Sequence, residues 1–302
     1  MTPAPARRIL ELARAAGAAS IAVVGTSKNA GKSVVIRALL DELARQGTAH
    51  GLCSIGRDGE AVDALDGSPK PRFFLRAGVQ LALPAALVPR SPALEIVAAT
   101  DETSALGRIV LARVRAPGAF EIAGPPTAAA VRRIADELVA RTGFALVDGA
   151  VDRTAALRGG GDAIVVAVGA ATAATPELAA EAAGALLARL RLPVAGATAD
   201  AVRIGGALTA DAAAAFVRAG EARPIVVPDA THVAFGGRTF LAIAARLDLR
   251  VETPLRPIAC SIASFSRDRA FEPRRFAAAV AKRTGLPVVD VYAGTVTAGA
   301  AA

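Results

Sequence analysis

The sequence has no tryptophan, one tyrosine, one methionine, two cysteines and two histidines in 302 residues. With aromatics at 4%, little is available for stacking exposed bases, which argues against a binder of single-stranded nucleic acid. Its formal charge of +8 comes from 31 arginines and four lysines, with no basic run longer than two. Such scatter reads as a compositional bias and not as a nucleic-acid surface. Cys53 and Cys260 lie far apart without Cys-x-x-Cys spacing, as expected for buried free thiols of a reducing, cytoplasmic compartment. His50 and His232 are isolated, so the spacing assembles no zinc site. No membrane span is expected: the longest uncharged stretch, residues 163–176, is 14 residues broken by glycine and proline, against the ~20 a spanning helix needs. Arg7, Arg8, Glu11 and Arg14 interrupt any apolar core of a secretory signal. An amphipathic helix with Ile9, Leu10 and Leu12 near one face is expected there instead.

Hydrophobic residues make up 53% of the chain, and no long polar tract interrupts them, so a large globular core is expected. Short β-rich runs alternate with longer alanine- and leucine-rich ones. The pattern predicts strands at 20–24, 49–55, 71–75, 94–98, 108–114, 144–148, 163–168, 193–196, 224–228, 257–262 and 287–291. Helices are predicted at 4–16, 32–46, 127–142, 176–191, 209–219 and 272–284. Continuous runs such as "AIVVAVG" and "FALVDG" suit strands buried on both faces of a parallel sheet. The expected fold is therefore α/β, a doubly wound and mostly parallel sheet. A nucleotide-binding domain over 1–230 is expected, with extra strands inserted at about 56–123 and an α/β extension over 231–302.

The stretch "GTSKNAGKS", residues 25–33, directly follows the apolar run 20–24. It nearly spells the phosphate-binding pattern Gly-x-x-x-x-Gly-Lys-Ser, but five residues separate Gly25 from Gly31 where that pattern has four. Strand, glycine-containing turn, then helix is the context a phosphate loop requires. Amides at the helix start favour an anion, and Gly31 lets backbone approach phosphates without a Cβ in the way. Lys32 is placed to reach β and γ oxygens, and the Ser33 hydroxyl to ligate Mg2+. Two of the four lysines, Lys28 and Lys32, fall in this loop of an otherwise arginine-using chain. An ammonium grips phosphate as a compact point charge that a guanidinium fork does not copy. Gly25, Thr26, Ser27, Lys28, Asn29, Ala30, Gly31, Lys32, Ser33 and Val34 are the candidate nucleotide-binding residues.

Asp148 ends the apolar strand in "FALVDGAVDR". An acid at a strand's C-terminal end beside a phosphate loop can bind Mg2+ or orient a nucleophile; the other reading is an ordinary Asp-Gly turn. In "SIGRDGEAVDALDG", residues 54–67, Arg57, Asp58, Glu60 and Asp63 cluster after the second strand. Asp58 is the metal candidate there and Arg57 a γ-phosphate partner, against the reading of a solvated turn. Asp152 and Arg153 are read either as further site residues or as an internal ion pair. No Asn-Lys-x-Asp stretch is present to read guanine, which favours ATP over GTP.

The loop resembles the Gly-Thr-x-x-x-x-Gly-Lys-Ser/Thr form of the dethiobiotin synthetase and cobyric acid synthase group, in which a carboxylate on an apolar strand before Gly-Ala faces the magnesium. Asp148 in "VDGA" matches that position one methylene shorter. Taken in order, "VVGTSKNAGKS", "GLCSIGRDGEAVD", "FEIAGPP" at 120–126 and "LVDGAVDR" resemble the P-loop subunit of the lysine 5,6-aminomutase reactivase. The resemblance covers most of residues 18–170 and thereafter only "PVVDV" at 287–291, while 260–276 is least alike. It implies an ATP-dependent chaperone, with ATP and Mg2+ held by Lys32, Ser33 and Asp148. It also implies two partners: a second subunit similar to mismatch-repair ATPases, and an adenosylcobalamin-dependent aminomutase whose damaged cofactor is released. Homo-oligomerisation stays open. A ligase of the dethiobiotin or cobyric acid type and a non-catalytic nucleotide-sensing subunit are the alternatives; Cys53 and Cys260 lack the paired histidine pattern of an amidotransferase.

Overall fold

The structure, a computed structural model, describes residues 5–55, 72–149, 162–196 and 200–299. Helix α1 (Pro5–Ala15) leads into β1 (Ser20–Gly25), α2 (Lys32–Arg45) and β2 (Gly51–Ser54). Strands β3 (Phe73–Leu75), β4 (Gln80–Pro84), β5 (Leu94–Ser104), β6 (Gly107–Val114) and β7 (Gly118–Phe120) follow. Next come α3 (Ala128–Thr142), β8 (Ala145–Asp148), β9 (Asp162–Gly169) and α4 (Pro176–Leu190). Short strands β10 (Val202–Arg203), β11 (Ile225–Val227) and β12 (Leu249–Val251) alternate with α5 (Ala210–Ala219) and α6 (Gly237–Ala244). The described chain closes with β13 (Arg256–Ala263), α7 (Pro273–Thr284), β14 (Val288–Asp290) and β15 (Thr295–Thr297).

Ten strands form one sheet in the order β15-β14-β13-β9-β1-β8-β2-β4-β6-β5. Six of its nine pairings are parallel, running unbroken from β14 to β4, so the fold is α/β with a mostly parallel sheet. Alternation along the central strands explains their uninterrupted hydrophobicity. Ile21 and Val23 of β1 and Val165 and Ala167 of β9 join one core with residues of α1 and α2. Ala22, Val24, Val166 and Val168 join the opposite core with α3, α4 and α7. Both faces are thus dry, as expected of a doubly wound sheet. Residues after β2 add β4, β6 and β5 to one edge and pair β3 with β7 in a separate ribbon. Strands β13 and β14 return the C-terminal part of the chain to the main sheet beside β9, while β10, β11 and β12 make a three-stranded parallel sheet.

Local expectations change at several elements, and the short strands β7, β10, β12 and β15 are additions to the expected set. The strand expected at 193–196 is reduced to one bridge, Val194 with Val251, because Pro193 has no N–H to donate and Gly196 packs no side chain. Strand β4 was not expected, since "QLALP" contains no β-branched residue. Helix α6 was also missed, because it starts at Gly237 behind Gly236, a pair that reads as a loop. Among the described residues, no helix is long and apolar enough to cross a membrane.

Glu42 ties α1 to α2. Its carboxylate accepts from Arg45 Nε at 2.8 Å, Gln46 Nε2 at 2.6 Å and Arg7 Nε at 3.2 Å. Burial works to raise its pKa, but the three donors outweigh that and hold the carboxyl down at about 2, against an ordinary 4.5. A depressed folded-state pKa gives stability that is present above pH 4.5 and fades as pH falls towards 2. With both arginines largely in solvent, Glu42→Gln should cost of order 1 kcal/mol at pH 7. The gap in melting temperature between wild type and variant should hold from pH 7 to about pH 5 and narrow as pH falls from 4.5 towards 2. A gap that stays constant with pH would assign Glu42 a packing role only.

Candidate functional site

All six residues of β1 are buried, and the strand lies between β8 and β9. Val23 pairs with Asp148 on one side, and Gly25 pairs with Ala167 on the other. The loop that follows therefore emerges at the C-terminal edge of parallel strands, where such sheets place ligands. It ends at Gly31, the N-cap of α2, whose φ of +98° is left-handed. A Cβ on Gly31 would also lie 2.9 Å from the Ala263 Cβ at the end of β13. Only glycine meets both demands.

The additional residue of the loop has a structural use. Thr26 extends the contact with β9 by one step, its amide donating to the Ala167 carbonyl at 3.0 Å. Its hydroxyl lies 2.9 Å from that of Thr172, and the Ser27 hydroxyl lies 3.1 Å from the same oxygen. Thr172 closes a 3-10 turn, Ala170–Thr172, directly after β9. Asn29 then takes a left-handed φ of +61°, which asparagine tolerates better than most residues. Sequence reasoning did not find Thr172. A lone threonine 146 residues from its partner carries no local signal.

Lys32 folds back over the start of the loop. A Cβ on Gly25 would come within 3.1–3.2 Å of Lys32 Nζ, Cδ and Cγ, so Gly25 makes room for the lysine stem. Helix α2 has no side-chain cap. Among the described residues, the amides of Ser27, Asn29, Ala30, Gly31 and Ser33 donate to no backbone carbonyl. Open N–H groups at a helix start suit an anion, and the helix dipole works in the same direction. Lys28 and Asn29 are exposed, Ala30 is buried, and Lys32, Ser33 and Val34 are half-buried. The Val34 amide is engaged by the Gly31 carbonyl at 3.1 Å, so Val34 serves the first helical turn.

Asp148 stands at the end of β8, one strand from β1. Burial pushes its carboxyl up to about 6, and the charge of Lys32 pulls in the opposite direction. A raised carboxylate beside a lysine and an open amide run fits a place where a cation or a proton is exchanged. Asp58, Arg57, Glu60, Asp63, Asp152 and Arg153 lie outside the described residues.

Cys53 and Cys260 are buried free thiols. Burial raises both: Cys53 with further help from Asp162 and Asp148, Cys260 up to about 12. Thiols that hold their protons this firmly are not nucleophiles. His50 is buried with Nδ1 2.8 Å from the Thr48 carbonyl, and His232 lies 3.2 Å from Asp229. Among the described residues, no group of three histidine, cysteine, aspartate or glutamate side chains could hold a metal ion.

No known family, curated protein or solved structure matches the chain.

The loop is braced from behind by Gly169. A Cβ there would lie 2.8 Å from Ala30 Cα and 3.1 Å from the Asn29 carbonyl oxygen, both backbone atoms. With φ at −112°, Gly169 is in a region open to any residue, so the constraint is purely steric. Gly169→Ala should displace the loop, with an overpacking cost of about 1–3 kcal/mol. Inorganic pyrophosphate binding, followed by calorimetry, should weaken while the far-ultraviolet circular dichroism stays that of wild type. Unchanged binding would show that β9 does not set the loop's shape.

Proposed function

We propose that the protein binds MgATP at residues 25–34 and uses its hydrolysis to reactivate an adenosylcobalamin-dependent aminomutase such as lysine 5,6-aminomutase. It would act with a second subunit similar to mismatch-repair ATPases. The observation that carries the nucleotide part is the run of loop amides left without backbone acceptors, with Lys32 folded across it. The client enzyme rests on the sequence resemblance of "SIGRDGE" and "DGAVDR" to the reactivase subunit.

On this reading the loop amides and the α2 N-terminus hold the phosphates, and the Lys32 ammonium lies against their β and γ oxygens. Mg2+ in the company of phosphates needs only one or two protein ligands. The Ser33 hydroxyl and Asp148 suit that role, since a cation offsets the burial that raises the Asp148 carboxyl. When bound, Mg2+ supplies neutralisation of phosphate charge. On the same reading Asp148 would also orient water for hydrolysis. Nucleotide turnover moves the client only if the two nucleotide states favour different conformations of the assembly. A ligase would use the same loop, but the buried, protonated thiols leave no nucleophile for its amidotransferase branch.

The test is recovery of an inactivated aminomutase supplied with fresh adenosylcobalamin, MgATP, this chain and its companion subunit. Recovery should need ATP and should fall at least about 100-fold in Lys32→Ala. Absence of recovery with a wild-type chain that binds ATP would sink the chaperone reading. An acyl phosphate trapped by hydroxylamine would then identify a ligase.

A further inference from the structure

The exposed aromatic side chains among the described residues are Phe74, Phe265 and Tyr292, and two of them follow neighbouring strands. Phe265 follows β13 and Tyr292 follows β14. Ile262 pairs with Asp290 across these strands, so the two rings leave the sheet three and two residues beyond one rung. Both strands run parallel with β9 and β1, which puts both rings at the edge that carries the phosphate loop. Strand β13 also meets the loop directly, through Ala263 against Gly31.

Neither turn is loose at its base. Asp290, 2% exposed, accepts the amides of Tyr292 and Ala293 at 2.9 Å each and the Ser264 hydroxyl at 3.3 Å. A buried carboxylate is costly unless fully hydrogen-bonded, and all three of these donors come from the two turns that bear the rings. Past Phe265, Ser266 donates to the Arg269 carbonyl at 2.7 Å and Phe271 to the Ser264 carbonyl at 2.8 Å, closing a hairpin. Arg269 Nη1 then reaches the Ala173 carbonyl at 2.5 Å. Ala173 follows Thr172, the residue that holds Thr26 and Ser27. The fold therefore presents two rings, 60% and 57% exposed, on hydrogen-bonded turns after strands two and three places from β1.

The two sides of β1 differ in kind. On one side β8 brings the Asp148 carboxylate; on the other, β13 lies two strands away, about 10 Å at the usual strand spacing. That distance is comparable to the reach from a nucleotide's phosphates to its base. Resting on the nucleotide reading of the loop, we infer that Phe265 and Tyr292 form a stacking platform for the base of the bound nucleoside triphosphate, with Asp290 as the positioning residue. The platform reads a flat ring face, so purines are held better than pyrimidines.

Tyr292 is the only tyrosine, and the chain has no tryptophan, so its ultraviolet-excited emission reports that ring alone. MgATP titrated into the full chain should quench it. Inorganic tripolyphosphate with Mg2+, which fills the loop without a base, should leave it unchanged. In equilibrium dialysis, Phe265→Ala should weaken MgATP at least about tenfold and leave tripolyphosphate binding intact, which also shows the variant folded. Asp290→Ala should show the same selectivity, and Asp290→Asn, which keeps an acceptor for the two amides, should restore most of the affinity. Constant Tyr292 emission on MgATP binding, or equal MgATP affinity in wild type and Phe265→Ala, overturns the platform and leaves the phosphate loop standing. Equal loss of both ligands in Phe265→Ala also overturns it, by assigning the ring to the fold. A wild-type chain that binds neither ligand overturns the nucleotide reading and the platform with it.

Discussion

Strand β1 is hydrogen-bonded in parallel to β8 on one side and to β9 on the other, and its side chains alternate between two dry cores. Because the strand is held on all four sides, the chain leaving it at Gly25 has a fixed origin and direction. The loop, the α2 N-terminus and Asp148 inherit their relative positions from that arrangement. Binding groups held on rigid strands lose little entropy when a ligand arrives, which is why parallel sheets recur as platforms for polar sites at their C-terminal edges.

The loop itself is shaped by close approach more than by hydrogen bonding. Gly169 lets the end of β9 touch Ala30, Gly31 lets Ala263 touch the loop from β13, and Gly25 lets the Lys32 stem lie across it. Three hydroxyls, those of Thr26, Ser27 and Thr172, close one side. What is left is a set of backbone amides that donate to no backbone carbonyl among the described residues. Polar groups without protein acceptors at a helix start are retained where a ligand completes them. The charge pattern follows the same layout, with a lysine over the loop and a carboxyl whose burial works against ionisation beside it.

The same edge is asymmetric. Carboxylate chemistry sits on the β8 side, and exposed ring faces sit on the β13 and β14 side, joined at their bases by one buried aspartate.

Much of this was legible in the linear sequence. Alanine- and leucine-rich runs marked α3, α4 and α5, and the structure adds that threonines 127, 175 and 209 cap them, each accepting the amide three residues on. Unbroken apolar runs marked β1, β8 and β9 as doubly buried, and the Gly-Lys-Ser tripeptide behind a strand marked the loop. These are local rules, written within a few residues of where they act. Strand β4 and helix α6 were not legible, because leucine and alanine form strands only where a neighbouring strand requires it and a glycine pair reads as a break. Nor were the contacts between distant elements: Thr172 on Thr26, Gly169 on Ala30, and Asp290 under Ser264 and Tyr292. The sequence alone determined the strands and helices with an unbroken apolar run or a strong helical pattern, and the place of the glycine-containing loop between β1 and α2. Tertiary structure decided which strand ends meet, since that depends on sheet order, and hydrogen bonds between residues far apart in the chain leave no periodic trace in it.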